Sequence, residues 1–333
     1  MRASACCAGI FLGTRLSLAD PPDLSADLSN LNIRHRTEHY ALAGTAKQER
    51  LTDYGRCLEY IYKEYAKGFT ELLTKPGEKP AQKTPDKSSA DKSAKKAARP
   101  AAAETQPASA PADGDDITKD SKDHRFKVII FATDAQYNAF GKKYIGPGSE
   151  HTRGMFVPSL QLLLIRDDPD STEAYEVLFH EAFHQFIQRY VEFAPLWLNE
   201  GLATYYGTAS PTANGLVFNR KRWEYFHYVQ YAAGEKKLIP LDELMAEGAD
   251  KFYGRARLPG LEVDRTDLSY AESYTLMAYL VADPNGREHL RKYIRGLAEA
   301  KSQAEALEVT RKTFPKKLLD DMVPGWMRAV NKQ

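Results

Sequence analysis

An α+β fold is the expectation for this chain: a small mixed sheet, with an edge strand just before a histidine-bearing helix, followed by a mainly helical C-terminal half. Three observations predict it. Phe126-Lys127-Val128-Ile129-Ile130-Phe131 is a short run rich in β-branched and aromatic residues, as strands are. Gln48 to Leu73 carries Leu51, Tyr54, Leu58, Ile61, Tyr62, Tyr65, Phe69, Leu72 and Leu73 at helical spacing. From residue 173 onward, segment after segment repeats the helical period. The chain has 333 residues, 43% hydrophobic and 27% charged, enough apolar content for a substantial core. Its net charge of +1 calls for neither nucleic acid nor a membrane surface.

The elements follow in order. Residues 1–23 read as a leader or a disordered N-terminus. Arg2, the apolar run Ala5 to Gly13 and Ser17-Leu18-Ala19 outline a weak signal peptide that Arg15 interrupts, so export and a cytoplasmic location both stay open. No stretch reaches the roughly 18 apolar residues of a membrane span. Cys6, Cys7 and Cys57 form neither a disulfide framework nor a thiolate metal site. Residues 24–75 supply a strand around His39 to Ala43 and the long helix. Residues 76–122 are Lys, Ala, Pro, Asp and Ser with Ile117 the single large aliphatic, which predicts a disordered insertion or linker. A lone strand and helix make a poor domain, so strand, helix, insertion and the strand at Phe126 are expected within one globular unit.

Residues 123–333 form the rest of that unit. Asp134 to Lys143 reads as a short helix and Gly154 to Ile165 as a strand or hairpin, with Pro158 excluding part of it from a sheet centre. Asp170 and Glu173 make an acidic capping box for a helix running to about Glu192. Pro195 begins a second helix, to about Tyr206. Further helices are expected over 219–233, 241–247, 270–282, 287–298, 302–314 and 316–330, the last interrupted by Pro324.

The chemistry concentrates at His180-Glu181-Ala182-Phe183-His184. Residues four apart on a helix are neighbours, so the two imidazoles can hold one metal ion, most naturally zinc. Glu181 between them is placed to take a proton from water on the metal. Glu200, in Trp197-Leu198-Asn199-Glu200-Gly201-Leu202-Ala203, supplies a third ligand from the next helix and leaves one position open. On a helical wheel Tyr175, Phe179, Ala182, Phe183, Phe186 and Tyr190 form the core face, so the histidines are expected to face a cleft.

These residues resemble the gluzincin metallopeptidases, in which His-Glu-x-x-His is followed by a helix bearing Asn-Glu-Gly-x-Ala. Trp197 to Ala203 is similar to the wording of M1-type aminopeptidases. The spacing from His184 to Glu200 is shorter than theirs, and no Gly-x-Met-Glu-Asn motif precedes it. The chain looks closer to the small bacterial domains grouped as DUF1570. The resemblance implies a zincin-like fold and one zinc ion held by His180, His184 and Glu200. It also implies hydrolysis of peptide bonds in a peptide or protein substrate, with Glu181 as base. A later tyrosine would donate to the developing oxyanion, with Tyr270 ahead of Tyr274 because Ser269 and Glu272 read as a capping box that puts Tyr270 in a first helical turn. Thr204 or Asn199 would orient a metal histidine, and His227 is expected at the surface or packed. An inactive binding module and a zinc amidase acting on cell-wall peptide are the alternatives; the carboxylate of Glu181 speaks against the former.

Overall fold

The computed structural model describes residues 31, 33–73, 124–146, 152–168, 171, 173–218, 221–255 and 263–333. The expected leader, the 76–122 stretch, Cys6, Cys7 and the cap at Asp170 lie outside them.

The fold is α+β. Five strands form one mixed sheet in the order β1-β2-β3-β5-β4: β1 (His35–Arg36), β2 (Tyr40–Gly44), β3 (Phe126–Phe131), β4 (Gly154–Val157) and β5 (Leu162–Arg166). β2, β3 and β5 run parallel, and β1 and β4 are antiparallel edges. Helix α1 (Gln48–Leu73) links β2 to β3, so Tyr40 pairs with Phe126 across the whole 76–122 stretch. β4 and β5 form the hairpin read from the sequence, and Pro158 sits in its turn, where no ladder hydrogen bond is needed.

Side-chain alternation sorts the strands onto two cores. Leu162 and Leu164 of β5, with Ile129 and Phe131 of β3, meet Tyr137 and Phe140 of helix α2 (Asp134–Tyr144) on one face. Leu163 and Ile165, with Val128 and Ile130, face the other and larger core, which holds every other helix. There α1 contributes Leu51, Tyr54, Leu58, Ile61, Tyr65 and Phe69, six of the nine positions expected from its spacing and all at 2% exposure or less. Arg50 and Tyr54 also bond the carboxylate of Asp167, at 2.6 and 2.8 Å, which ties the start of α1 to the end of β5.

Two helices carry the metal motif. Helix α3 (Glu173–Ile187) follows β5, and α4 (Leu196–Gly207) follows a turn ending at Pro195. Helix α3 ends at Ile187, five residues before the expected Glu192. It is also buried on every side from Val177 to Ile187, so the histidine face is no open cleft: α4 and β4 cover it. A two-stranded hairpin, β6 (Ala209–Thr212) and β7 (Gly215–Phe218), follows α4 where no element was expected. Its two-residue turn is Ala213-Asn214, and β7 opens on Gly215 at φ +151°; Asn-Gly is a hairpin signal that the mainly helical reading passed over.

The remaining helices are α5 (Trp223–Gly234), α6 (Leu241–Leu244), α7 (Ala249–Phe252), α8 (Arg265–Ala282), α9 (Pro284–Glu299), α10 (Gln303–Thr313) and α11 (Lys316–Asn331). Helix α7 was not expected, and two others differ from their expected form. Helix α8 begins at Arg265, capped by Asp264, whose carboxylate accepts from the Asp267 N–H. Ser269 and Glu272 are therefore interior residues, fully buried, and not a capping box. Helix α11 continues through Pro324; a proline removes one backbone hydrogen bond but need not end a helix whose apolar face is packed.

Helix α4 lies between α3 and α8 at a spacing that only glycine permits. A methyl group on Gly201 would stand 2.8 Å from the Ser273 carbonyl oxygen of α8, and one on Gly207 would stand 3.3 Å from the Glu176 carbonyl oxygen of α3. Backbone oxygen cannot swing aside as a side chain can. Gly201→Ala is expected to lower stability by about 1–3 kcal/mol, read as a fall in the thermal midpoint, with the next residue, Glu200, displaced.

Candidate metal centre

His180, Glu181 and His184 fall on one side of α3, and each offers a donor atom within 4.8 Å of the others. Glu200 enters from α4. Its Oε2 lies 3.2 Å from the Nε2 of His180 and 3.6 Å from the Nε2 of His184. All four residues are at 5% exposure or less. The two imidazole planes stand 84° apart with centroids at 4.7 Å, so each ring presents its Nε2 edge to the carboxylate.

The hydrogen bonds around this cluster turn its donor atoms inward. His184 Nδ1 donates to Asn199 Oδ1 at 2.9 Å, which keeps a proton on Nδ1, so that the neutral ring would carry its lone pair on Nε2. Asn199, the residue before Glu200, is thus the orienting partner rather than Thr204. Glu181 Oε2 accepts the backbone N–H of Phe156 in β4 at 2.9 Å. Glu200 Oε1 accepts the hydroxyl of Tyr253, just after α7, at 2.6 Å. Each carboxylate therefore has one oxygen fixed and one free. Glu181 Oε1, Glu200 Oε2 and His180 Nε2 are buried with no hydrogen-bond partner.

Three buried acceptor-type atoms without a hydrogen-bond partner are costly unless a cation compensates them. The spacing fits one. Donors about 2.0–2.1 Å from a tetrahedral zinc lie about 3.3 Å from each other, and the two His–Glu200 separations bracket that edge. An imidazole pair with a carboxylate is also a donor set that zinc prefers. Glu181 is pinned to β4 through Oε2, and one oxygen of its carboxylate lies within 4.8 Å of a donor atom of each histidine.

The electrostatics agree. Burial pushes Glu181 above its ordinary carboxyl range, and the two histidines pull it back. Glu200 lies far below the ordinary range: burial opposes ionisation, but the charge of His184 and the closeness of both imidazoles outweigh it. Without a cation, burial disfavours the charged form of His184, yet Glu200 holds it up at about 9.

The expected tyrosines separate. Tyr270 is buried and bonds through its hydroxyl to Tyr253, one step removed from Glu200. Tyr274 packs edge-on against Tyr225 and Phe226 of α5, away from the cluster. His227 is exposed on α5. Tyr253 itself carries no sequence signal: it is one of 19 tyrosines and follows a four-residue helix. The Phe156 N–H is a backbone group that no side-chain pattern reports.

The pKa directions set a stability window for the metal-free protein. His184 is raised on folding, so its contribution is complete below about pH 6.5 and lost as pH rises through about 9. Glu200 is lowered, so its contribution is present above its ordinary value of 4.5 and lost as pH falls. Urea unfolding of metal-free protein is expected to show falling stability between pH 6.5 and 9, and His184→Gln should flatten that slope. No protein-family model and no curated protein matches the chain, so the case for what this centre does rests on its geometry.

Proposed function

We propose that the protein is a zinc-dependent hydrolase of peptide bonds, of gluzincin type and zincin-like fold, with His180, His184 and Glu200 as ligands and Glu181 as general base. The observation that carries this reading is the approach of Glu200 Oε2 to the Nε2 of both imidazoles, at 3.2 and 3.6 Å, with Glu200 Oε2, His180 Nε2 and Glu181 Oε1 all buried and without a hydrogen-bond partner. When bound, the zinc would bring the pKa of a water to about 7 and polarise the scissile carbonyl.

The chain's own groups do the rest. Asn199 holds the His184 ring with Nε2 inward. Glu181, fixed to β4 through Oε2, keeps Oε1 free to take a proton from water and pass it to the leaving amine. Its raised pKa suits this work, since a base nearer neutrality both accepts and returns a proton. Burial of the cluster keeps bulk water from competing.

The backbone of β4 suits an extended peptide. In the β4–β5 ladder Met155 bonds inward to β5, while Phe156 directs its N–H away from it, to Glu181. The Phe156 carbonyl points the same way as its N–H, so a substrate strand could pair there beside the base. All four β4 residues are buried, so substrate entry requires movement of what covers the strand.

Metal analysis with a peptide-library assay tests the proposal. Wild type should retain about one zinc per chain, and less than about 0.2 after metal-replete purification would end the metalloprotein reading. His184→Ala should lose the metal. Glu181→Gln should keep it and lose cleavage by about 100- to 10,000-fold; undiminished cleavage by that variant would refute the assigned base.

A further inference from the structure

We propose that Tyr253 is the positioning residue for the carboxylate of Glu200, and that Tyr270 acts on that carboxylate through it. The inference rests on the metal-centre reading above and assigns work to two residues outside the ligand set.

The two oxygens of Glu200 have different surroundings. Oε2 faces both imidazoles and has no hydrogen-bond partner, while Oε1 accepts the Tyr253 hydroxyl at 2.6 Å. The terminal torsion of a glutamate is broad and roughly two-fold, so rotation about it is settled by its neighbours and not by an intrinsic rotamer. Within this buried pocket the hydroxyl of Tyr253 is the neighbour that distinguishes the two oxygens. Held this way, Glu200 gives one oxygen to the histidine side and withholds the other. A carboxylate released from that bond could turn both oxygens inward and take the place that a substrate or water needs.

Tyr253 needs support of its own, because it follows the four-residue helix α7. Its ring meets Phe252 edge-on at 5.2 Å and Tyr270 at 6.3 Å, and Tyr270 also meets Phe252 edge-on at 5.5 Å. The hydrogen bond between the Tyr270 and Tyr253 hydroxyls completes the set. Tyr270 stands in the sixth position of the 18-residue helix α8. The orientation of Glu200 is therefore referred, through two hydroxyls, to one of the longest helices of the fold.

The test uses the full chain, with zinc affinity from competition against a chromophoric chelator and the visible absorption of the Co2+-loaded protein. Tyr253→Phe, which removes one oxygen atom, should weaken zinc binding by about 10- to 100-fold and alter the Co2+ band. Tyr270→Phe should do both to a smaller degree, and Tyr231→Phe, at an exposed site on α5, should do neither. Loss of structure alone does not change the band of the metal that remains bound. Wild-type affinity and an unchanged band in Tyr253→Phe would overturn the proposal. A larger effect from Tyr270→Phe than from Tyr253→Phe would overturn the stated order. If Tyr253→Phe does not fold, an unaltered affinity and band in Tyr270→Phe overturn the relay. A wild-type chain that binds neither Zn2+ nor Co2+ fails the metal-centre reading itself, a result distinct from all of these.

Discussion

Glu200 sits between two imidazoles inside the protein, and most of what surrounds it follows from that placement. A buried carboxylate is tolerated only where its charge is compensated and its lone pairs are used. The two histidines from α3 compensate the charge on one side, and the Tyr253 hydroxyl satisfies the other. To bring the carboxylate within reach, α4 must lie close to both α3 and α8, which explains the glycines at 201 and 207. To hold the His184 imidazole still, Asn199 must stand beside the carboxylate on the same helix turn. Ligand, orienting residue and spacing glycine are consecutive in the chain because one turn of helix has to supply all three.

The same logic explains why α3 has no solvent face. An amphipathic helix on a protein surface would leave its polar stripe wet. Here the polar stripe is His180, Glu181, His184 and Gln185, and each is buried. β4 covers Glu181 and binds it through a backbone N–H, while α4 covers the histidines. The polar stripe is an interior surface, with His180 Nε2, Glu181 Oε1 and Gln185 Oε1 as its buried atoms without a hydrogen-bond partner.

Much of this was legible from residue patterns, and the gaps have physical reasons. His180, His184 and Glu200 come together because helical spacing and a short turn fix their relation, and both can be read along the chain. The strands at Phe126 and Leu162 and the spacing of α1 depend on local alternation and were equally visible. What escaped was non-local. Ser269 and Glu272 have the composition of a capping box, but Asp264 caps the helix five residues earlier, and a composition match does not say which of two caps is used. The wheel of α3 put Phe179, Ala182, Phe183 and Phe186 rightly in the core, but Tyr190 lies past the helix end and is exposed, and which side meets water depends on β4 and α4, not on α3. The β6–β7 hairpin had its Asn214-Gly215 signal but only four residues per strand. Tyr253 and the Phe156 N–H owe their roles to tertiary contact alone.

The parallel pairing of β2 with β3 has a consequence for the order of assembly. Tyr40 finds its partner only when Phe126 exists, so the centre of the sheet is closed across a long span of chain. Contacts of such separation are slow to form, because the loop must be closed before they give anything back. The cost of closure rises only with the logarithm of loop length, about 0.6 kcal/mol for each doubling. The sheet is therefore nearly indifferent to how many residues stand between 76 and 122. The candidate metal centre draws its helices and edge strand from residues downstream of that span. The length of chain between the two strands would therefore register in the timing of folding more than in the final stability.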